Sequence, residues 1–211
     1  MALNDKSIAL IGCGDIGIRL ASLLDEADVN AMRRNTASLP QGLTAYSMDV
    51  TKPETLDVLR NTAFDYVVIT LTPDRFSEET YQETYVNGLA NILKALNTTK
   101  FKRLFWVSST SVYGQDDDSW VDEQSPLQPK NFSGRMQLAA ENLLAEVSNA
   151  TIVRFAGIYR SGTYRLLERI KDGELGDTIV PDPFSNRIHV DDCAGVLAHL
   201  IKRDSEGLSI D

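Results

Sequence analysis

The sequence predicts an α/β fold, a doubly wound parallel sheet with helices on both faces. Short apolar runs alternate with amphipathic helical patterns along the chain, and a glycine-rich turn joins the first run to the first helix. The 211 residues are enough for one domain with a substantial core. We expect a single structural domain, with a core at residues 1–157 and, at residues 158–211, a small partial substrate region with returning core elements.

The expected strands are short apolar runs bounded by polar or turn residues. Three of the runs, SIALIG, YVVITL and RLFWVSS, are apolar at nearly every position, as parallel strands covered on both faces usually are. The strands are expected at residues 7–12, 29–32, 45–50, 66–71, 103–109 and 151–155. A further strand is expected to begin at residue 207.

The expected helices have apolar residues three or four positions apart. The first follows the glycine turn, with Ile16 and Leu20 on its apolar face. Thr51 and Glu54 have the spacing of a capping box at the start of the second, and Asp191 can cap the last. The remaining helices are expected at residues 51–61, 76–96, 134–147, 164–171 and 191–202.

Composition excludes several classes of partner and site. The formal net charge of −9 argues against nucleic acid, because no basic field would gather phosphates. Cys13 and Cys193 lie far apart without metal-ligand spacing, so neither a disulfide framework nor a metal site is indicated, and we expect a cytoplasmic protein. No apolar stretch reaches membrane-spanning length, so no membrane association is expected.

The glycine-rich turn fits the pattern G-x-G-x-x-G of dinucleotide-binding proteins. The three glycines would allow a tight turn, close approach to a pyrophosphate and close contact between helix and strand. The turn follows a strand and opens a helix, which is the context that supports a Rossmann-type NAD(P) site over the alternative of an ordinary glycine turn. The expected cofactor-binding residues of this turn are Gly12, Cys13, Gly14, Asp15, Ile16 and Gly17.

Two arginines favour NADP over NAD as the cofactor. An NAD enzyme usually has a carboxylate about 20 residues beyond the glycine turn, whereas an NADP enzyme has an arginine there for the 2′-phosphate. This chain has Arg33 and Arg34 at that place. The alternative is that the two arginines are a solvated surface pair.

Several segments resemble the extended short-chain dehydrogenase/reductase family, which contains NAD-dependent epimerases and dehydratases. The resemblance extends over nearly the whole chain. Its most specific part is the segment 108–114 (SSTSVYG), in which Ser109 matches the serine that hydrogen-bonds the reacting substrate oxygen. Residues 186–192 (NRIHVDD) match a segment that leads into a helix, and residues 88–91 match a glycine and an asparagine of an earlier helix. The resemblance also implies that Asp49, Val50 and Leu71 contact the cofactor.

The family's catalytic pair Tyr-x-x-x-Lys is not found where the resemblance places it. Ser133 stands in place of the tyrosine and Gln137 in place of the lysine, although Gly134 and Arg135 still match. The segment resembles an atypical branch of the family that reads N-x-SGR. We therefore take Ser109, Tyr113, Ser133, Arg135 and Gln137 as the candidate catalytic residues, with a supporting role for Tyr113 weighed above proton transfer.

Two functions remain open from the sequence. The first is an oxidoreductase or isomerase that acts on a nucleotide sugar or another small alcohol or carbonyl substrate. The second is a catalytically impaired NADP(H)-binding sensor. His189 and His199 are not favoured as bases or metal ligands. The resemblance also implies a homodimer through the helices at 76–96 and 134–147, and a chain that is either truncated or has a reduced substrate lobe.

Overall fold

Six parallel strands form the central sheet of the computed structural model, which describes residues 3–96, 100–117, 119–162, 171–173 and 186–210. The strands are β1 (Ser7–Ile11), β2 (Asp28–Arg33), β3 (Thr44–Ser47), β4 (Tyr66–Ile69), β5 (Arg103–Ser109) and β6 (Ala150–Phe155). Their order is β3-β2-β1-β4-β5-β6, and every neighbouring pair is parallel. The order reverses between β1 and β4, where doubly wound sheets form a binding crevice. The expected fold is confirmed.

Helices follow most of the strands. They are α1 (Asp15–Leu23), α2 (Asp57–Asn61), α3 (Glu78–Tyr81), α4 (Gly88–Leu96), α5 (Phe132–Leu144) and α6 (Val190–Ser205). A π-helical stretch, Gln82–Asn87, joins α3 to α4, so the long helix expected at residues 76–96 is present. Two short strands, β7 (Gly157–Tyr159) and β8 (Arg187–His189), form a separate parallel pair. The helix expected at residues 164–171 lies, apart from Lys171, outside the described residues.

Each central strand contributes to two apolar layers, one on each face of the sheet. Ala9 and Ile11 of β1 pack in the layer that contains α4 residues such as Leu89. Ile8 and Leu10 pack in the layer that contains residues of α1 and α6, such as Leu20. Burying a leucine or isoleucine side chain stabilises the fold by about 1.5–3 kcal/mol. This double burial is the reason that β1, β4 and β5 are apolar at nearly every position.

The capping box expected at Thr51 and Glu54 is wrong. Asp49 Oδ1 accepts hydrogen bonds from the backbone N–H and the hydroxyl of Thr51, at 3.1 and 2.8 Å. This local turn engages the threonine side chain, and the chain continues through the 3₁₀ turn Pro53–Thr55 before α2 begins at Asp57.

The two ends of α6 also differ from expectation. His189 caps the helix, since its Nδ1 accepts a hydrogen bond from the N–H of Asp191 at 3.3 Å, whereas Asp191 lies in the first turn. At the other end, Gly207 adopts φ +75° and ends the helix in a Schellman motif, with bonds from Gly207 N–H to Asp204 O and from Leu208 N–H to Arg203 O, both 3.0 Å. Residues 207–210 therefore form no strand.

Asp204 ties the end of α6 to the sheet. Its buried carboxylate accepts hydrogen bonds from Tyr66 Oη at 2.9 Å and Arg103 Nε at 2.7 Å, and it pairs with Lys102 Nζ at 3.1 Å. Burial opposes the ionisation of Asp204, but these donors outweigh burial and hold the pKa of the carboxyl below its usual value. The pairing fixes α6 against β4 and β5.

Candidate functional site

A cleft of about 720 Å³ opens at the carboxyl ends of β1, β2 and β4, where the strand order reverses. Its size is within the range of about 300–1,000 Å³ that is usual for cofactor and small-molecule sites. The cleft is lined by Gly12, Gly14, Met32, Arg33, Arg34, Asn35, Met48, Asp49, Val50, Thr51, Thr70, Leu71, Thr72, Pro73, Asp74 and Thr84.

The glycine turn forms one wall of this cleft, and its three glycines have separate roles. Gly12 has φ +77°, and a Cβ there would lie 2.8 Å from the carbonyl oxygen of Thr70. A Cβ at Gly17 would lie 3.1 Å from Cys13 Sγ, so this glycine permits close packing of α1. Gly14 is more open, with its nearest such contact at 3.6 Å. A ligand can therefore approach the backbone at Gly14.

Gly14 is also the N-cap of α1, and no side chain caps the helix. The first N–H groups of a helix lack intrahelical partners and carry the positive end of its dipole, which together favour a phosphate. The start of α1 is therefore a helix terminus that favours an anion.

The structure brings together most of the expected cofactor-binding residues. Gly12, Gly14, Arg33, Arg34, Asp49, Val50 and Leu71 line the cleft. Asp15 and Ile16 line an adjoining cavity of about 240 Å³ that shares Gly14 with it. Cys13 and Gly17 are buried beneath the turn. Burial raises the pKa of the Cys13 thiol to about 11 despite the opposing charge of Arg33, so this cysteine remains a neutral packing residue.

The two arginines differ in their contacts. Arg33 Nη1 donates to the backbone carbonyl of Cys13 at 3.3 Å, which links the end of β2 to the glycine turn. Arg34 forms a bidentate ion pair with Asp74, a residue of the loop after β4. The Arg34 guanidinium lowers the pKa of Asp74. Asp74 was not among the residues expected at the site. Nothing in the sequence around Asp74 indicates that its carboxylate pairs with an arginine 40 positions earlier in the chain.

The segment of Asp49 and Val50, which is expected to contact the cofactor, is held by α4. Asn91 Nδ2 donates to the backbone carbonyl of Val50 at 3.0 Å. A Cβ at Gly88 would lie 2.8 Å from Val50 Cγ2, so only glycine allows this approach of helix and cleft wall. The glycine and asparagine that the sequence singled out therefore position Val50 in the cleft.

Ser109 lies at the carboxyl end of β5, the strand next to β4. Its Oγ accepts a hydrogen bond from the N–H of Ser111 at 3.1 Å and so caps the 3₁₀ turn Thr110–Val112. Accepting this bond uses an oxygen lone pair and not the hydroxyl hydrogen. The side chain can therefore still donate a hydrogen bond.

Tyr113 is held by two partners. Its Oη accepts a hydrogen bond from Arg154 Nη1 at 2.8 Å and donates to the carbonyl of Asp122 at 2.9 Å. Arg154 also lies over the tyrosine ring and forms a buried ion pair with Glu141, at 2.8 Å. These contacts favour a supporting role for Tyr113, because its hydroxyl already has both a donor and an acceptor.

The remaining candidate catalytic residues lie apart from the two cavities. Ser133 Oγ donates to Asn131 Oδ1 at 2.8 Å, at the capped start of α5. Arg135 is exposed and approaches Glu78 Oε1 at 3.4 Å. Gln137 is buried against Tyr85, and its Oε1 has no hydrogen-bond partner among the described residues. Neither cavity is lined by any of the five candidate catalytic residues, Ser109 and Tyr113 included.

The smaller cavity is bordered at Asp15 and Arg160 by an ion-pair network that the sequence did not indicate. Asp15 accepts hydrogen bonds from Arg19 Nε at 2.9 Å and Arg160 Nη1 at 2.8 Å, and Arg19 also pairs with Asp191. Burial opposes ionisation of Asp15, but the two arginines outweigh it and lower its pKa. The network joins the glycine turn to β7 and α6.

Neither histidine belongs to a metal-binding group. His189 caps α6, and the centroid of its ring lies 5.0 Å from that of Tyr159. His199 is exposed on α6. Over the described parts of the chain, no cluster of histidine, cysteine, aspartate and glutamate could hold a metal ion. Within the same ranges, no helix combines the length and the apolar character needed to cross a membrane.

Comparison with known proteins gives consistent matches. The model of the NAD dependent epimerase/dehydratase family matches residues 10–209. The chain is 26% identical to Protein YeeZ of Escherichia coli strain K12 over 219 positions, which cover 96% of this chain and 75% of that protein.

Two solved structures extend the comparison. A candidate NAD-dependent epimerase/dehydratase from Methylobacillus flagellatus is 36% identical and superposes with a TM-score of 0.79, covering 97% of this chain and 72% of that one. MoeE5 in complex with UDP-glucose and NAD is 23% identical, with a TM-score of 0.72 and coverage of 93% and 71%. At 23% identity, the similarity to MoeE5 shows the shared fold alone.

Proposed function

Because the chain belongs to the NAD dependent epimerase/dehydratase family, we propose that it binds a nicotinamide dinucleotide in the 720 Å³ cleft, with NADP favoured over NAD. The observation that carries this proposal is the uncapped start of α1 at Gly14, open to the cleft beside two arginines. We further propose an oxidoreductase or isomerase that acts on a nucleotide sugar or another small alcohol or carbonyl substrate.

Each part of the dinucleotide has a matching part of the cleft. The start of α1 suits the pyrophosphate, since Gly12 and Gly14 present no side chains there and the first N–H groups of the helix lack intrahelical partners. Val50, fixed by α4, suits the adenine, and the guanidinium groups of Arg33 and Arg34 suit a 2′-phosphate. When bound, such a cofactor supplies hydride transfer.

The substrate is proposed to lie at the edge of the sheet formed by the ends of β4 and β5. There Ser109 would donate a hydrogen bond from its hydroxyl to the reacting substrate oxygen, because its Oγ already accepts one from Ser111. Tyr113 would support the segment through Arg154. The neighbour MoeE5 has UDP-glucose bound, which motivates nucleotide sugars as the first substrates to test.

A second function is favoured by a specific observation. Ser133 and Gln137 replace the usual tyrosine and lysine. Ser133 is hydrogen-bonded to Asn131, and Gln137 is buried against Tyr85. Neither side chain lines a cavity. A protein that binds NADP(H) and reports its level without turnover would have no need of a proton relay. Dinucleotide binding without any turnover would support this sensor.

Calorimetric titration with NADPH and NADH tests the cofactor proposal, and absorbance at the nicotinamide band with a panel of nucleotide sugars and small carbonyls tests the enzyme proposal. Ser109→Ala should lower kcat by about a hundredfold to a thousandfold, since a hydrogen bond at the reacting oxygen is lost. The matched control is Ser205→Ala, at the end of α6, which should leave kcat unchanged. If both variants turn over substrate like the wild type, Ser109 does not have the proposed role.

A homodimer through the helices expected at 76–96 and 134–147, which correspond to α3 to α4 and to α5, is a separate proposal carried over from the family resemblance. Light scattering at assay concentration tests it directly. A single species with the mass of one 23.4 kDa chain would exclude the dimer.

A further inference from the structure

The ion pair between Arg34 and Asp74 joins two walls of the cleft. Arg34 directly follows β2, and Asp74 lies in the loop that follows β4. These two strands flank β1, whose end leads into the glycine turn. Both side chains line the cleft. The pair therefore bridges the cleft from one side of the glycine turn to the other.

The geometry of the pair is that of an arginine with an oxyanion. Arg34 Nη1 and Nη2 each donate to a different oxygen of Asp74, at 2.5 Å. An arginine binds a phosphate through the same fork of two parallel N–H groups. The Asp74 carboxylate thus occupies the donors that a 2′-phosphate would use.

The charges that line the cleft make this competition matter. They are Arg33, Arg34, Asp49 and Asp74, which sum to a formal charge of zero. Arg33 donates to the carbonyl of Cys13, so one of its N–H groups is directed at the glycine turn. An incoming 2′-phosphate meets a guanidinium that already has an anionic partner, and it is repelled by that partner. The ribose of NAD brings two neutral hydroxyls and meets no such repulsion.

We propose that Asp74 is a specificity residue of the cofactor site, whose carboxylate competes with the 2′-phosphate of NADP for Arg34 and so limits the preference for NADP over NAD. The inference rests on the proposed cofactor. Binding of NADP requires that the pair opens, whereas binding of NAD leaves it closed across the cleft. Asp74 therefore lowers the affinity for NADP and leaves that for NAD nearly unchanged.

Calorimetric titration of Asp74→Asn with NADPH and with NADH tests this role. Asparagine keeps the shape of the side chain and removes the charge, and the loop is exposed, so the variant should fold as the wild type does. We expect the affinity for NADPH to rise roughly fivefold and that for NADH to change by less than about twofold, the scale of an exposed ion pair.

Two further variants separate a local effect from a general change in charge. Asp57→Asn removes the same charge from an exposed pair with Arg60 in α2, outside the cleft, and should change neither affinity. In an Arg34→Gln background, Asp74→Asn should raise NADPH affinity by less than about twofold. The reason is that Asp74 and the 2′-phosphate no longer have a guanidinium at position 34 for which to compete.

Each outcome decides between the two proposals. If the wild type binds both dinucleotides but Asp74→Asn leaves NADPH affinity unchanged or lower, Asp74 is not a specificity residue and the cofactor proposal stands. An equal gain for NADPH and NADH, or the same gain in Asp57→Asn, overturns the inference in the same way. If the wild type binds neither dinucleotide, the cofactor proposal fails and takes this inference with it.

Discussion

Glu141→Gln is expected to cost a large part of the stability of the fold. The carboxylate of Glu141 is 4% exposed and accepts hydrogen bonds from Ser108 Oγ at 2.6 Å and from Arg154 Nε and Nη2 at 3.0 and 2.8 Å. Losing one charge of a buried pair leaves the other uncompensated, which costs about 3–5 kcal/mol. Glutamine keeps one acceptor oxygen, so we expect the lower end, about 3 kcal/mol, out of the roughly 5–15 kcal/mol typical of a domain.

Urea unfolding, followed by the fluorescence of the buried Trp106, measures this loss. The midpoint should fall while the slope with urea concentration stays the same. The control is Glu146→Gln, an exposed residue just beyond α5, which should change the free energy of unfolding by less than about 0.5 kcal/mol. A loss below about 1 kcal/mol for Glu141→Gln would refute the view that the pair of Glu141 and Arg154 fixes Ser108 of β5 to α5 and β6.

Three further predictions concern single residues. Tyr113→Phe should lower the free energy of unfolding by about 1–2 kcal/mol, because Arg154 loses an acceptor, and should leave kcat unchanged; a hundredfold fall in kcat would give Tyr113 a chemical role instead. The pKa of Asp204 is lowered in the folded state, so the ionised carboxylate contributes to the free energy of unfolding. This contribution is complete above about pH 4 and is lost as the pH falls through the lowered pKa. In thermal unfolding between about pH 4 and pH 2, the wild type should therefore lose more stability than Asp204→Asn, and equal losses would contradict this. Gly134→Ala places a Cβ 2.1 Å from the carbonyl oxygen of Ser111 and should destabilise the fold by about 1–3 kcal/mol in urea; an unchanged midpoint would mean that α5 can move freely there.

The strands β1, β4 and β5 were predictable because each is buried on both faces, whereas the exposed β3 is Thr44–Ser47 and not the 45–50 expected. The span expected for β5 agrees with Arg103–Ser109 at both ends, since the apolar run and its polar boundaries coincide with the limits of pairing. Helix ends were less predictable, since several side chains compete for the same backbone groups. At α6 the ring of His189 takes the capping position that Asp191 was expected to fill.

The glycine turn was predictable because the absence of a side chain is itself the signal. At Gly12 the positive φ and the nearby Thr70 carbonyl exclude other residues. The partners of charged side chains could not be predicted in this way. Asp74 meets Arg34 only because β2 and β4 lie on either side of β1, and that arrangement depends on the tertiary fold. For the same reason, sequence spacing alone did not show that Gln137 turns towards Tyr85.

The central claim, that the cleft binds a nicotinamide dinucleotide by close approach to the start of α1 at Gly14, is tested most directly by titrating Gly14→Ala with NADPH. A Cβ at Gly14 has no protein contact closer than 3.6 Å, so the variant should fold, but the methyl group would stand where the pyrophosphate must approach. The control is Gly195→Ala, in the middle of α6, where a Cβ meets open space. We predict that Gly14→Ala binds NADPH at least about tenfold more weakly than the wild type, a loss of about 1.4 kcal/mol, while Gly195→Ala binds as the wild type does. Equal affinity in all three proteins would contradict the claim.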